Sequence, residues 1–195
     1  MGLPPLPRPP AFLAPKRRVF ISHSSLDRGE AETFIAYWGE QQKVFTYRAL
    51  GVFRDPDLIN STNPEYVMSR IRLQYLADAT VTIVLIGSCT HSRRYVDWEL
   101  KASLRSGETC TPNGVLGIML PTKRGAVYLP PRFQANWTPD GNSYAKFYDM
   151  PTSAEQLRQW IEDAYYARTS RANLIRNSAD MMIYNSRCHL CGITH

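Results

Sequence analysis

Apolar runs and amphipathic stripes alternate along this chain. Arg17-Arg18-Val19-Phe20-Ile21-Ser22 is a short apolar run behind basic residues, closed by the turn-forming His23-Ser24-Ser25, and it predicts a first buried strand. Ala31, Phe34, Ile35 and Trp38 then recur at i, i+3, i+4 and i+7, the stripe of a helix that Asp27 is placed to cap. Tyr47 to Phe53 predicts a second, weaker strand, ended by a polar loop from Arg54 to Asn63. Asn63-Pro64 pairs an N-cap with proline at the first helical position, and Val67, Met68, Ile71 and Tyr75 follow on one face. Thr80 to Ile86 is a continuous, largely β-branched run, which requires burial on both faces and so predicts a central parallel strand. Ser92 is read as the cap of a helix over residues 93–107 that turns Val96, Leu100 and Leu104 inward. Val115 to Leu120 and Ala145 to Tyr148 predict two more strands. Ser153 and Gln156 form a capping box ahead of Leu157, Trp160, Ile161 and Ala164, which predicts a closing helix.

Strand and helix in alternation, joined by short connections, give an α/β fold with a parallel sheet wrapped by helices, because each parallel neighbour needs a crossover. Such a sheet takes its ligand at the carboxyl ends of the strands, where the strand order reverses. The loops in question are Ser22 to Asp27, Arg54 to Asn63 and Gly87 to Arg94. At 195 residues the chain accommodates one domain with appendages. A proline-rich tail is expected over residues 1–15, where six prolines fall, then the domain over 16–168 and a C-terminal extension over 169–195 that either docks or frays.

Charge and cysteine content narrow the classes. The excess of 23 Lys and Arg over 17 Asp and Glu favours an anionic ligand, but the basic residues are dispersed, so no nucleic-acid partner is expected. No apolar run reaches the roughly 20 residues of a membrane span, and the proline-rich opening does not suit a secretory signal, so a cytoplasmic chain is expected with no membrane partner. The four cysteines are too few and too scattered for a disulfide scaffold. Cys89 and Cys110 read as idle thiols. Cys188-x-x-Cys191 is half of a structural zinc site, completed only if His189 or His195 folds back; the plainer reading is a frayed terminus, and no metal is expected.

The candidate loops exclude several chemistries. No glycine-rich phosphate fingerprint follows the first strand, which argues against dinucleotide dehydrogenases and P-loop enzymes. A phosphate-accepting receiver domain would need acidic residues where His23 and Gly87-Ser88 stand. Gly87-Ser88 also lacks the second glycine of a nucleophile elbow. Tyr95 and Glu99 lie four residues apart on one helix face, beside the stripe that packs inward. One carboxylate without a partner does not suit the two-carboxylate glycosidase scheme, but it suits holding a ribose by its hydroxyls while positive charge develops at the anomeric carbon. Taken alone, Glu99 is more often a solvated helix residue than a functional one. Arg93 and Arg94 suit a pyrophosphate or plain solvent contact.

The combination of Arg18-Val19-Phe20-Ile21-Ser22-His23, Gly51-Val52-Phe53, Val84-Leu85-Ile86-Gly87-Ser88 and Arg93-Arg94-Tyr95-Val96-Asp97-Trp98-Glu99-Leu100 resembles the TIR and TIR-like domains, and among them the bacterial TIR-like subunit of Thoeris anti-phage defence. The resemblance covers about residues 17–120 and implies a flavodoxin-like, three-layer sandwich with a central, mainly parallel sheet. It also implies cleavage of the nicotinamide–ribose bond of NAD as substrate, with no separate cofactor, and a cyclic ADP-ribose-type or conjugated product that activates a separate effector. By the same resemblance Glu99 is the catalytic carboxylate and Tyr95 its aromatic neighbour, where many relatives carry Trp. Ser22, His23 and Ser88 would line the nucleotide cleft. Self-association through TIR contacts and a phage-derived activator are further implied partners. The competing classes are a TIR adaptor that only assembles, in which Glu99 is incidental, and a nucleic-acid sensor.

Overall fold

The computed structural model describes residues 15–49, 63–107, 110–122 and 127–195, so the proline-rich opening, most of the Arg54 to Asn63 loop, Gly51 to Phe53 and the Tyr75 side chain lie outside the described residues. Five parallel strands form one sheet in the order β2-β1-β3-β4-β5, from β1 (Arg18–His23), β2 (Thr46–Ala49), β3 (Val81–Ile86), β4 (Gly114–Met119) and β5 (Lys146–Tyr148). This is the flavodoxin-like order, whose reversal lies between β1 and β3. The helices are α1 (Arg28–Phe34), α2 (Pro64–Ile71), α3 (Arg94–Ser103), α4 (Pro131–Gln134) and α5 (Ala154–Ser170).

The two faces of the sheet are covered by different helices. Val19, Ile21, Ile83, Leu85, Leu116 and Ile118 pack against Phe34, Trp38, Leu157 and Ile161 of the α1 and α5 layer. On the other face Phe20 meets Val67, Ile71 and Trp98, while Val84 and Ile86 meet Val96 and Leu100. Every residue of β3 is buried, as its unbroken apolar run requires. Asn63 caps α2 through a bond from the Tyr66 N–H at 3.2 Å, and Ser153 caps α5 through the Gln156 N–H at 3.1 Å. The returning half of the capping box is absent, because the Gln156 side chain takes the Thr152 N–H instead.

Two expected caps are corrected. Asp27 makes no cap bond; Ser24 takes the Leu26 N–H, and the Asp27 carboxylate turns toward the loop after β3, where Thr90 donates to it at 3.0 Å. Ser92 donates its hydroxyl to the Cys89 carbonyl, and the first amide of α3, Arg94 N–H, is taken by Asn185 from the far end of the chain at 2.9 Å. The closing segment is not frayed. Residues 177–185 run along α3, with Trp98 Nε1 donating to the Met182 carbonyl at 2.7 Å and Lys101 Nζ to that of Ala179 at 2.6 Å. Beneath them Arg132 and Asp97 form a buried ion pair at 2.8 Å. No helix among the described residues is long and apolar enough to cross a membrane.

Candidate functional site

The reversal point between β1 and β3 brings together the residues that matter. Ser22 stands opposite Val84 near the carboxyl end of β1 and, like Phe20, faces the α2 and α3 layer. Glu99, in the second turn of α3, reaches the same place and accepts a hydrogen bond from Ser22 Oγ at 2.5 Å. Both side chains are buried, Glu99 at 4 % exposure and Ser22 at 0 %. Loss of water pushes the Glu99 carboxyl up to about 8, and the Ser22 hydroxyl offsets only part of that shift. Glu99 is therefore an uncharged acid at neutral pH in this state, with Ser22 as its hydrogen-bond partner among the described residues.

The loop after β3 docks on the turn after β1. Gly87 N–H donates to Thr90 Oγ1 at 2.8 Å, and Thr90 in turn donates to Asp27. A Cβ at position 87 would stand 2.3 Å from Asp27 Oδ1, so the carboxylate occupies the space that the missing side chain leaves. Burial raises the Asp27 carboxyl above its ordinary range, against the Thr90 bond, which lowers it. Arg93 bridges the same two loops through a 2.9 Å bond to Ser25 Oγ, and its Nη1 is buried without a partner among the described residues.

The remaining expected site residues are placed less centrally. His23 follows Val19 and Ile21 in the pleat and so leaves β1 on the face opposite Ser22; its Nδ1 lies 2.9 Å from the Ser24 carbonyl, and its Nε2 is buried without a partner among the described residues. Ser88 is half-buried, with its carbonyl accepting from the Cys188 thiol at 3.5 Å. Tyr95 lies one turn before Glu99, at the rim with 36 % exposure, its ring edge-on to Trp98 and covered by the Arg94 guanidinium. A groove of about 630 Å³ lies on the other face of the sheet, lined by Gly29, Thr33, Tyr37, Leu120 and Met150, away from Glu99.

The family model for the Thoeris protein ThsB, TIR-like domain, matches residues 20–125, more than half of the chain. The chain belongs to this family. No curated protein matches it. The matched residues of the TIR-like domain hold most of β1 and all of β3 and α3, and with them Ser22, Ser88, Tyr95 and Glu99. Sequence reasoning missed the Asp27, Gly87 and Thr90 junction, and it passed over Arg132, whose role depends on Asp97 and on the closing segment. The glycine after β3 was the available signal for the junction; nothing local marked Arg132 as a buried partner.

Proposed function

We propose that this TIR-like protein cleaves the nicotinamide–ribose bond of NAD and releases a cyclic ADP-ribose-type or conjugated nucleotide as a messenger to a separate effector. The observation that carries this reading is the 2.5 Å bond between Ser22 and Glu99 across the strand-order reversal, where an open parallel sheet takes its ligand. A hydroxyl already on the carboxyl is the kind of partner that a ribose hydroxyl would also offer it. On binding, the diol replaces Ser22 Oγ, and the fixed positive charge of the nicotinamide ring favours the ionised carboxyl. The C1′–N bond then breaks with its electron pair going to nitrogen, so nicotinamide leaves neutral and needs no strong acid. Glu99 offsets the positive charge left on the ribose. A hydroxyl of the same nucleotide, or another acceptor, forms the new bond to C1′ and gives up its proton to the Glu99 carboxylate or to solvent. Arg93, with a buried Nη1 beside Ser25 that has no partner among the described residues, suits the pyrophosphate. Exclusion of water favours the cyclic product.

The burial of Glu99 favours a second reading, in which the domain acts as an adaptor through TIR–TIR assembly and the carboxyl is structural. The full chain incubated with NAD, with and without lysate from phage-infected cells, separates the two when products are resolved by chromatography. Wild type releases nicotinamide, and Glu99→Gln loses at least about a hundredfold, the scale of a lost transition-state contact. Equal turnover by both removes the proposed role of Glu99, and no turnover under any condition leaves the adaptor.

A further inference from the structure

The closing segment brings three more metal-ligating side chains to the loop beside this site. Cys89 stands in that loop, two residues after Gly87, while Cys188, Cys191 and His195 come from the other end of the chain. Cys89 Sγ lies 3.6 Å from Cys191 Sγ and 3.5 Å from His195 Nε2, and Cys191 Sγ lies 3.1 Å from the same nitrogen. These three ligand atoms fall within 4.8 Å of one another. Around a tetrahedral zinc, bonds of about 2.3 Å to sulfur and about 2.05 Å to nitrogen place sulfurs about 3.8 Å apart and sulfur and nitrogen about 3.6 Å apart. Two of the three separations match within a few tenths of an ångström.

The turn that carries Cys188 and Cys191 is held by its own backbone. Gly192 holds φ +75, Gly192 N–H returns to the Cys188 carbonyl at 2.8 Å, and Cys188 N–H donates to the Ile193 carbonyl at 2.9 Å. Cys188 is buried in the same turn with its thiol on the Ser88 carbonyl at 3.5 Å; it stands outside the three-atom cluster and, as the other half of the C-x-x-C pair, is the side chain that would complete it. The surroundings fix the ligands in turn. His91 Nε2 accepts the His189 N–H at 3.1 Å from inside the turn, and Asn185 donates to the His195 carbonyl at 2.5 Å while it caps α3.

We propose that Cys89, Cys188, Cys191 and His195 hold one zinc ion that locks the closing segment onto the loop between β3 and α3. Three thiols and one imidazole in tetrahedral array select zinc over hard cations. Four protein ligands leave no open position, so the ion is structural and takes no part in the reaction. On binding, the three thiols release their protons and the imidazole binds through its unprotonated Nε2. The ion would join a cysteine inside the residues shared with the TIR-like family to a segment outside them, next to Ser88.

Elemental analysis of the purified full chain, dialysed free of loose metal, is expected to give about one zinc per chain, retained in Cys110→Ser and reduced at least fivefold in Cys191→Ser and His195→Ala. Cobalt added to reduced, metal-stripped wild type should produce thiolate charge-transfer and tetrahedral ligand-field absorption that saturates at one equivalent and weakens in Cys89→Ser. The wild-type titration decides the matter even if the variants do not fold. Absence of these bands, or a chain that is isolated metal-free with a Cys89–Cys191 disulfide visible as a 2 Da mass loss, overturns the site. Neither readout depends on NAD turnover.

Discussion

Glu99 is an ionisable side chain held where ionisation is costly. Its carboxyl sits at 4 % exposure with one hydroxyl as partner and is pushed from 4.5 up to about 8 by burial. Between those values the folded chain keeps a proton that the unfolded chain has lost, so this contribution to stability is intact below about pH 4.5 and is lost as pH rises to about 8. The loss is on the order of 4 kcal/mol between pH 5 and pH 9. Glu99→Gln, neutral at every pH, should therefore melt several degrees above wild type at pH 9 and close to it at pH 5, measured by calorimetry. If the ionised carboxyl is what serves a ribose, kcat/KM for NAD should climb with pH toward a limb near 8, and a profile flat from pH 6 to 9 would separate activity from this group.

At the scale of elements, close approach of backbones decides which positions tolerate a side chain. A Cβ on Gly114, the first residue of β4, would lie 1.8 Å from the Ala164 carbonyl oxygen of α5, a main-chain atom that cannot turn aside. Gly114→Ala is expected to cost about 3 kcal/mol or more in urea unfolding, because α5 must lift off the sheet. Gly29, inside α1 with nothing within 4 Å of its would-be Cβ, is the contrast. Gly29→Ala should gain up to about 1 kcal/mol from helix propensity alone. Both are glycines in regular elements, and the letters alone do not separate them. The strands and helices were legible because their periodicities are local: the alternation of core faces on β1, the unbroken β3 and the stripe of α5 follow from neighbouring residues. The caps of α1 and α3 were misassigned because Asp27 and Ser92 had better partners elsewhere, at Thr90 and at the Cys89 carbonyl.

Across the whole molecule, one buried cation ties the closing segment to the sheet's helical layer. Arg132 donates to both Asp97 oxygens and to the carbonyls of Ala179 and Asp180, while Asp97 also accepts the Met182 N–H. Arg132→Met should cost about 3–5 kcal/mol, since it leaves the Asp97 charge buried without its counter-ion. Hydrogen exchange should then speed up across residues 177–185 more than in β3, whose bonds lie in the sheet centre. Adding Asp97→Leu to that variant should recover part of the loss, because the pair costs more when half-broken than when replaced whole.

The amino-acid sequence by itself determined the α/β alternation, the central strand, the helix that carries Tyr95 and Glu99, and the likeness to TIR-like domains, all of which rest on residues within a turn or a strand of one another. Tertiary structure alone decided that Ser22 meets Glu99 across 77 positions, that His23 leaves the strand on the other face, and that Cys89 meets Cys191 across 102. Periodicity fixes which face of an element is buried, whereas the partner on that face is chosen by how distant elements pack.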